Sequence, residues 1–162
     1  MNHLWSPWRM EYLDGSNKAD GCVFCTAQEM QDGVENLIAY RGEHAYVILN
    51  RFPYTSGHLL VNPYQHVTRL EDLTPEIRAE MMELVSRCTT VLKSIYKPQG
   101  FNMGANLGSA AGAGIPLHVH LHIVPRWSGD TNFMSTVGQT RVLPEALEDT
   151  YNRVKNEFQN QK

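Results

Sequence analysis

Two rhythms of apolar and polar positions run along the chain. Short apolar runs at Leu37–Tyr40, Ala45–Leu49 and Gly57–Asn62 are separated by Arg41-Gly42-Glu43 and by Phe52-Pro53-Tyr54-Thr55-Ser56. The separators carry turn-forming residues, so the pattern predicts three β-strands joined by turns. After residue 73 the rhythm changes. Ile77, Met81, Leu84, Val85, Cys88, Val91, Leu92 and Ile95 recur at three- and four-residue spacing, which predicts a long helix with one apolar stripe. Thr74 can cap it, Pro75 suits its first position, Glu76 complements the dipole, and Lys97-Pro98 marks its end. Phe101–Asn106 and Leu117–Val124 read as a fourth and a fifth strand, the latter ended by Pro125. A last helix is expected from Pro144, with Leu147, Tyr151, Val154 and Phe158 on its apolar face. This order predicts an α+β domain over residues 21–162, in which the last two strands pair antiparallel. Residues 1–20 hold Trp5, Trp8, Met10, Tyr12 and Leu13. They are too apolar for a free tail, so they read as an arm packed on the domain.

Composition narrows the function. The 162 residues are 42% hydrophobic and 19% charged, as in one globular domain. Fourteen basic against 17 acidic side chains give a net charge of −3. Without basic clusters, nucleic acid is not an expected partner. No apolar run reaches the roughly 18 residues of a membrane span, and Met1–Arg9 has no apolar signal core. The expectation is a cytoplasmic protein with no membrane partner. Three cysteines cannot form an even disulfide framework, and Cys22-Val23-Phe24-Cys25 has the spacing of half a metal site or of a redox dithiol.

The chemistry concentrates in His118-Val119-His120-Leu121-His122-Ile123-Val124. On a strand, His118, His120 and His122 would share one face at roughly 6.5–7 Å spacing, with Val119, Leu121 and Ile123 toward the core. Three half-exposed surface histidines are the plain alternative, and a histidine-only metal site is another. The preceding stretch from Asn106 to Pro116 is small and glycine-rich. Such a backbone can approach an anion and aim N–H groups at it. No Gly-Lys-Ser/Thr follows, and a strand rather than a helix comes next, so it is neither a P-loop nor a dinucleotide fingerprint. Phosphate held beside an imidazole nucleophile is the expected arrangement, because neutral imidazole attacks phosphorus near neutral pH.

From about Cys22 to Trp127 the chain resembles the histidine triad (HIT) family, whose signature alternates histidines with apolar residues as residues 118–124 do. Asn50-Arg51-Phe52-Pro53 and Ser56-Gly57-His58-Leu59-Leu60-Val61 match its upstream block. Leu4–Arg9 and Pro125–Met134 resemble the subgroup that includes diadenosine tetraphosphate phosphorylases. The resemblance implies a five-stranded antiparallel sheet with helices, paired as a homodimer. It implies cleavage of a dinucleoside polyphosphate at the α-phosphate through a nucleotidyl-histidine intermediate, with inorganic phosphate or water as acceptor. By that resemblance His120 is the nucleophile, and His122 and His58 support it. Asn50 contacts ribose, and Asn106 lies near substrate. Relatives often carry Ser or Thr three residues before the first triad histidine; here Ile115 stands there, and the backbones of Gly112 and Gly114 are its substitutes. The Arg126-Trp127 segment is expected to shape the acceptor or base site. A nucleoside phosphoramidase and a non-catalytic nucleotide-binding module are the alternatives.

The resemblance also implies a closed structural zinc site formed by Cys22, Cys25, His66 and His118, with no organic cofactor. Two thiolates and two imidazoles suit tetrahedral zinc. A thioredoxin-like dithiol would need a βαβ setting that the pattern lacks. A plain pair of buried thiols is the other alternative. His44 is a competing ligand at a strand start, and His3 has no argued role.

Overall fold

The computed structural model describes residues 21–131, 137 and 144–161. The expected arm over residues 1–20 lies outside them. Strands β1 (Ile38–Arg41), β2 (Ala45–Leu49), β3 (Leu59–Pro63), β4 (Gly100–Gly104) and β5 (Leu121–Arg126) form one sheet in the order β1-β2-β3-β5-β4. Every neighbouring pair is antiparallel. The α+β class and the five-stranded antiparallel sheet are therefore as expected.

Among the described residues three α-helices accompany the sheet: α1 (Val23–Glu29), α2 (Pro75–Tyr96) and α3 (Leu147–Asn160). In α2 the Thr74 hydroxyl accepts from the Ile77 N–H, and the helix stops where Lys97 takes a left-handed conformation ahead of Pro98. Helix α2 lies across β2, β3 and β5, while α3 packs on α2 and β1. Their apolar stripes meet the sheet in a single core. Ile38, Tyr46, Val47, Leu59, Val61 and Ile123 come from the strands; Met81, Cys88, Val91, Leu92, Val154 and Phe158 come from the helices. Burying a side chain of this size contributes about 1.5–3 kcal/mol. That is far more than the few tenths that separate helix propensities, so packing decides the fold. No helix among the described residues is long and apolar enough to cross a membrane.

Several boundaries differ from the sequence reading. Helix α1 was not expected. It is seven residues long, Cys22 gives it no side-chain cap, and no acidic residue stands in its first turn. Helix α3 starts at Leu147 rather than Pro144. Strand β3 starts two residues late because the His58 N–H donates to the Thr55 carbonyl, closing a turn. The largest shift is in β5, which begins at Leu121 instead of Leu117. Its ladder with β3 runs from Leu59↔Ile123 to Val61↔Leu121. Before that, the Val119 N–H bonds the Val67 carbonyl, outside the sheet. His118 and His120 thus precede the strand, and only His122 lies on it. Pro125 sits within β5 rather than ending it. It pairs with Phe101 of β4 beyond the end of the β3 ladder, where a missing N–H is tolerated.

Gly57 shows how closely α2 approaches the site. Its φ is +80°, and a Cβ there would lie 3.0 Å from Leu92 Cδ2 and 3.1 Å from Tyr96 Cε2. Gly57→Ala must pay both the left-handed backbone cost and the contact with α2. It is expected to lower the unfolding free energy by about 1–3 kcal/mol in urea melts.

Candidate active site and metal centre

The end of β2, the Thr55–His58 turn, the segment entering β5 and the start of α1 converge on the histidines. His118 is fully buried, His120 is 6% exposed and His122 is half-buried. That excludes a row of surface histidines. The rings of His120 and His122 lie 4.9 Å apart, and those of His122 and His58 lie 5.2 Å apart. Histidines 58, 120 and 122 therefore form one cluster.

Hydrogen bonds fix which nitrogen of each ring carries the proton. The backbone N–H of Tyr54 donates to His58 Nδ1 at 3.1 Å. That nitrogen must be an acceptor, so in neutral His58 the proton is on Nε2. His58 Nε2 is 2.9 Å from His122 Nδ1. Nδ1 of His122 then accepts, and its Nε2 keeps a proton to donate. Asn50 supports the first step. Its Nδ2 is 3.3 Å from His58 Nδ1, and its Oδ1 accepts from the Phe52 N–H at 3.0 Å, which fixes the amide's orientation.

His120 has the opposite assignment. Its Nδ1 is 2.8 Å from the His118 carbonyl. A carbonyl only accepts, so Nδ1 carries the proton and Nε2 keeps its lone pair. Burial holds His120 below the ordinary imidazole value, which favours the neutral, nucleophilic form. One ring in the cluster thus presents a lone pair, and its neighbour presents an N–H.

Beside His122 lies a cavity of about 510 Å³, lined by Tyr54, Asn102, Asn106, Ala111, Arg126 and Asp130 among others. Asn106 is therefore brought to the same space as His122. Gly112 takes φ +83° at the end of a short 3-10 turn over Ser109–Ala111, beside Ala111, and Gly114 is exposed. Trp127 is not among the residues lining this cavity. Its Nε1 donates to the Tyr96 carbonyl at 3.3 Å, so it ties the segment after β5 to the end of α2. The adjoining wall is braced by Arg126, whose Nε and Nη2 donate to Asp130 at 2.5 and 2.9 Å, while Nη1 donates to Asn102 at 2.6 Å. The guanidinium holds the Asp130 carboxyl down at about 2. This brace and the Tyr54 N–H were missed in the sequence. Neither has a spacing signal, because each depends on where a turn closes.

Cys22, Cys25, His66 and His118 form a second cluster, their donor atoms all within 4.8 Å of one another. Sγ of Cys22 is 3.4 Å from His118 Nδ1, and Sγ of Cys25 is 3.2 Å from His66 Nδ1 and 3.6 Å from His118 Nδ1. Tetrahedral zinc, with bonds of about 2.3 Å to sulfur and 2.05 Å to nitrogen, sets sulfur and nitrogen about 3.6 Å apart. The donors fit that ion. The other ring nitrogen of His118, Nε2, is 2.9 Å from the Pro63 carbonyl, so it carries the proton and leaves Nδ1 to ligate. As a bare thiol Cys25 is poorly ionised: burial, then the neighbouring Cys22, push it up to about 11. A divalent cation reverses that preference. His44 is outside this cluster; its N–H donates to Glu80.

Residues 31–129 match the model of the HIT domain, more than half of the chain. Over 169 aligned residues the chain is 38% identical to a Mycobacterium tuberculosis protein named AP-4-A phosphorylase, covering 99% of this chain and 86% of that one. It is 34% identical over 97 residues to the Schizosaccharomyces pombe bis(5'-nucleosyl)-tetraphosphatase (asymmetrical), covering 60% of this chain and 53% of the relative. Among solved structures, a zinc-bound histidine triad family protein from Mycobacterium smegmatis superposes with a TM-score of 0.69 at 29% identity, covering 87% of this chain and 95% of that one.

Metal analysis of the purified protein is expected to give one equivalent of zinc per chain. Cys22→Ser and His66→Ala should each remove most of it and lower the melting temperature. Unchanged metal content in both would reject this ligand set.

Proposed function

We propose that this chain, which belongs to the histidine triad (HIT) family, cleaves dinucleoside polyphosphates such as diadenosine tetraphosphate at the α-phosphate. His120 is the nucleophile and inorganic phosphate the acceptor. The observation that carries the reading is the 2.8 Å bond between His120 Nδ1 and the His118 carbonyl, which leaves Nε2 as the basic nitrogen of a buried neutral ring.

Nε2 attacks the α-phosphorus as the bond to the bridging oxygen breaks, and ATP departs. The ring gains positive charge when nitrogen bonds phosphorus, and the His118 carbonyl, already accepting from Nδ1–H, stabilises that charge. His122 meets charge on the phosphate oxygens with its Nε2–H, and His58 and the Tyr54 N–H hold it in the tautomer that donates. An oxygen of inorganic phosphate then attacks the same phosphorus, the N–P bond breaks, ADP leaves and His120 is neutral again. Asn50 and Asn106 are assigned to substrate, with the Gly112 and Gly114 backbones and Trp127 shaping the acceptor or base side. The metal centre, when loaded with zinc, is structural: all four donors come from protein, so no position is left for substrate. Phosphate as acceptor is supported by the similarity to AP-4-A phosphorylase along nearly the whole chain, whereas the tetraphosphatase likeness covers 60% of it. The reading includes a homodimer in the cytoplasm, and the edge strand β4 with its exposed Met103 is a surface on which a second copy could pair.

Incubation with diadenosine tetraphosphate should give ADP and ATP only when inorganic phosphate is added. AMP and ATP without phosphate would make the enzyme a hydrolase. His120→Ala should cut turnover by about 10³-fold or more with the melting temperature preserved. Full activity in that variant would reject the reading.

A further inference from the structure

Phe24 stands between the two cysteines in sequence and is 5% exposed. Its ring centroid is 5.4 Å from that of His118, edge-on at 76°, and 5.1 Å from that of His120 at 57°. One apolar side chain of the cysteine turn thus touches both a metal-centre histidine and the ring assigned as nucleophile. Its backbone is held from below: the Tyr46 hydroxyl, on a fully buried residue of β2, donates to the Phe24 carbonyl at 3.0 Å.

A single N–H···O bond fixes the direction of one ring nitrogen. It leaves the ring free to rock about that bond, and the neighbours it packs on set its plane. For His120 those neighbours include Phe24 and His122. A lone pair must point at phosphorus within a narrow cone, and a misplacement near 1 Å can cost about 10²-fold in rate. Filling the Phe24 position with any apolar group would keep the core closed, but only a flat ring at this angle sets the plane of the imidazole.

We infer that Phe24 is a positioning residue for His120: the cysteine turn presents its ring so that the nucleophile's free nitrogen faces the substrate. This rests on the proposed role of His120 and assigns the segment between the ligands a task besides holding metal. Substrate contacts elsewhere should not depend on it.

The test uses Phe24→Leu and Phe24→Met in the zinc-loaded protein, with His120→Ala run alongside. Both Phe24 variants keep an apolar side chain of similar size. Expected are a single-turnover rate of nucleotidyl transfer lowered by about tenfold or more, an unchanged KM and an unchanged zinc stoichiometry. Long-range proton–nitrogen NMR should show His120 Nδ1 protonated as one species in the wild type and exchange-broadened or mixed signals in the variants. Wild-type rates and spectra in both variants would overturn the inference. Loss of zinc or of the fold in both would also overturn it, by making Phe24 a packing residue of the metal turn. If instead His120→Ala turns over normally, the nucleophile reading itself fails, whatever the Phe24 variants do.

Discussion

The hydrogen bond from His120 Nδ1–H to the His118 carbonyl is the constraint on which the site depends. A neutral imidazole has one lone pair, and the position of its proton decides where that pair points. The accepting partner is not another histidine, whose own proton could move. A backbone carbonyl removes the ambiguity because it has no proton to give. The carbonyl in turn is only as well fixed as residue 118. That residue is tied down at its ring by the Pro63 carbonyl and the two thiols, and next to it by the Val119 N–H on Val67. The Cys/His cluster and the ring proposed as nucleophile are thus adjacent links of one chain of contacts.

The same logic runs through the other half of the cluster with the sign reversed. There a backbone N–H, from Tyr54, meets His58 and forces it to accept. The effect passes through His58 to His122 and ends as a donor. Two backbone groups of opposite polarity therefore give two neighbouring imidazoles opposite roles. Chemically similar side chains need such an arrangement to serve as nucleophile and hydrogen-bond donor in one site.

Much of this was legible in the sequence because it depends on spacing. The stripe of α2, its Thr74 cap and the alternation of apolar residues predicted the fold class, and His58, His120 and His122 do cluster. The Cys22, Cys25, His66 and His118 donors also meet, as the family resemblance implied. What was illegible depends on where chain segments end. A strand beginning at Leu117 would have put all three triad histidines on one regular face. The ladder with β3 stops at Val61↔Leu121, so His118 leaves the sheet and turns to the cysteines. Helix α1 is held by tertiary contacts such as the buried Phe24 and the Tyr46 bond rather than by capping, and no local pattern announces it. The Arg126-Trp127 segment stood out from its place after the triad, but not how its residues divide: Arg126 lines the cavity with Asp130, while the Trp127 indole bonds the end of α2.

The central claim is that phosphorus becomes bonded to the ring of residue 120. Rapid quenching of the protein with diadenosine tetraphosphate in the absence of inorganic phosphate, followed by peptide mass spectrometry, tests it most directly. The account predicts one acid-labile adenylyl group, located on His120 and discharged as ADP when phosphate is added. An adenylyl group on His122 or His58, or steady turnover with no adduct on any histidine and isotope from water or phosphate delivered in one inverting step, would contradict it.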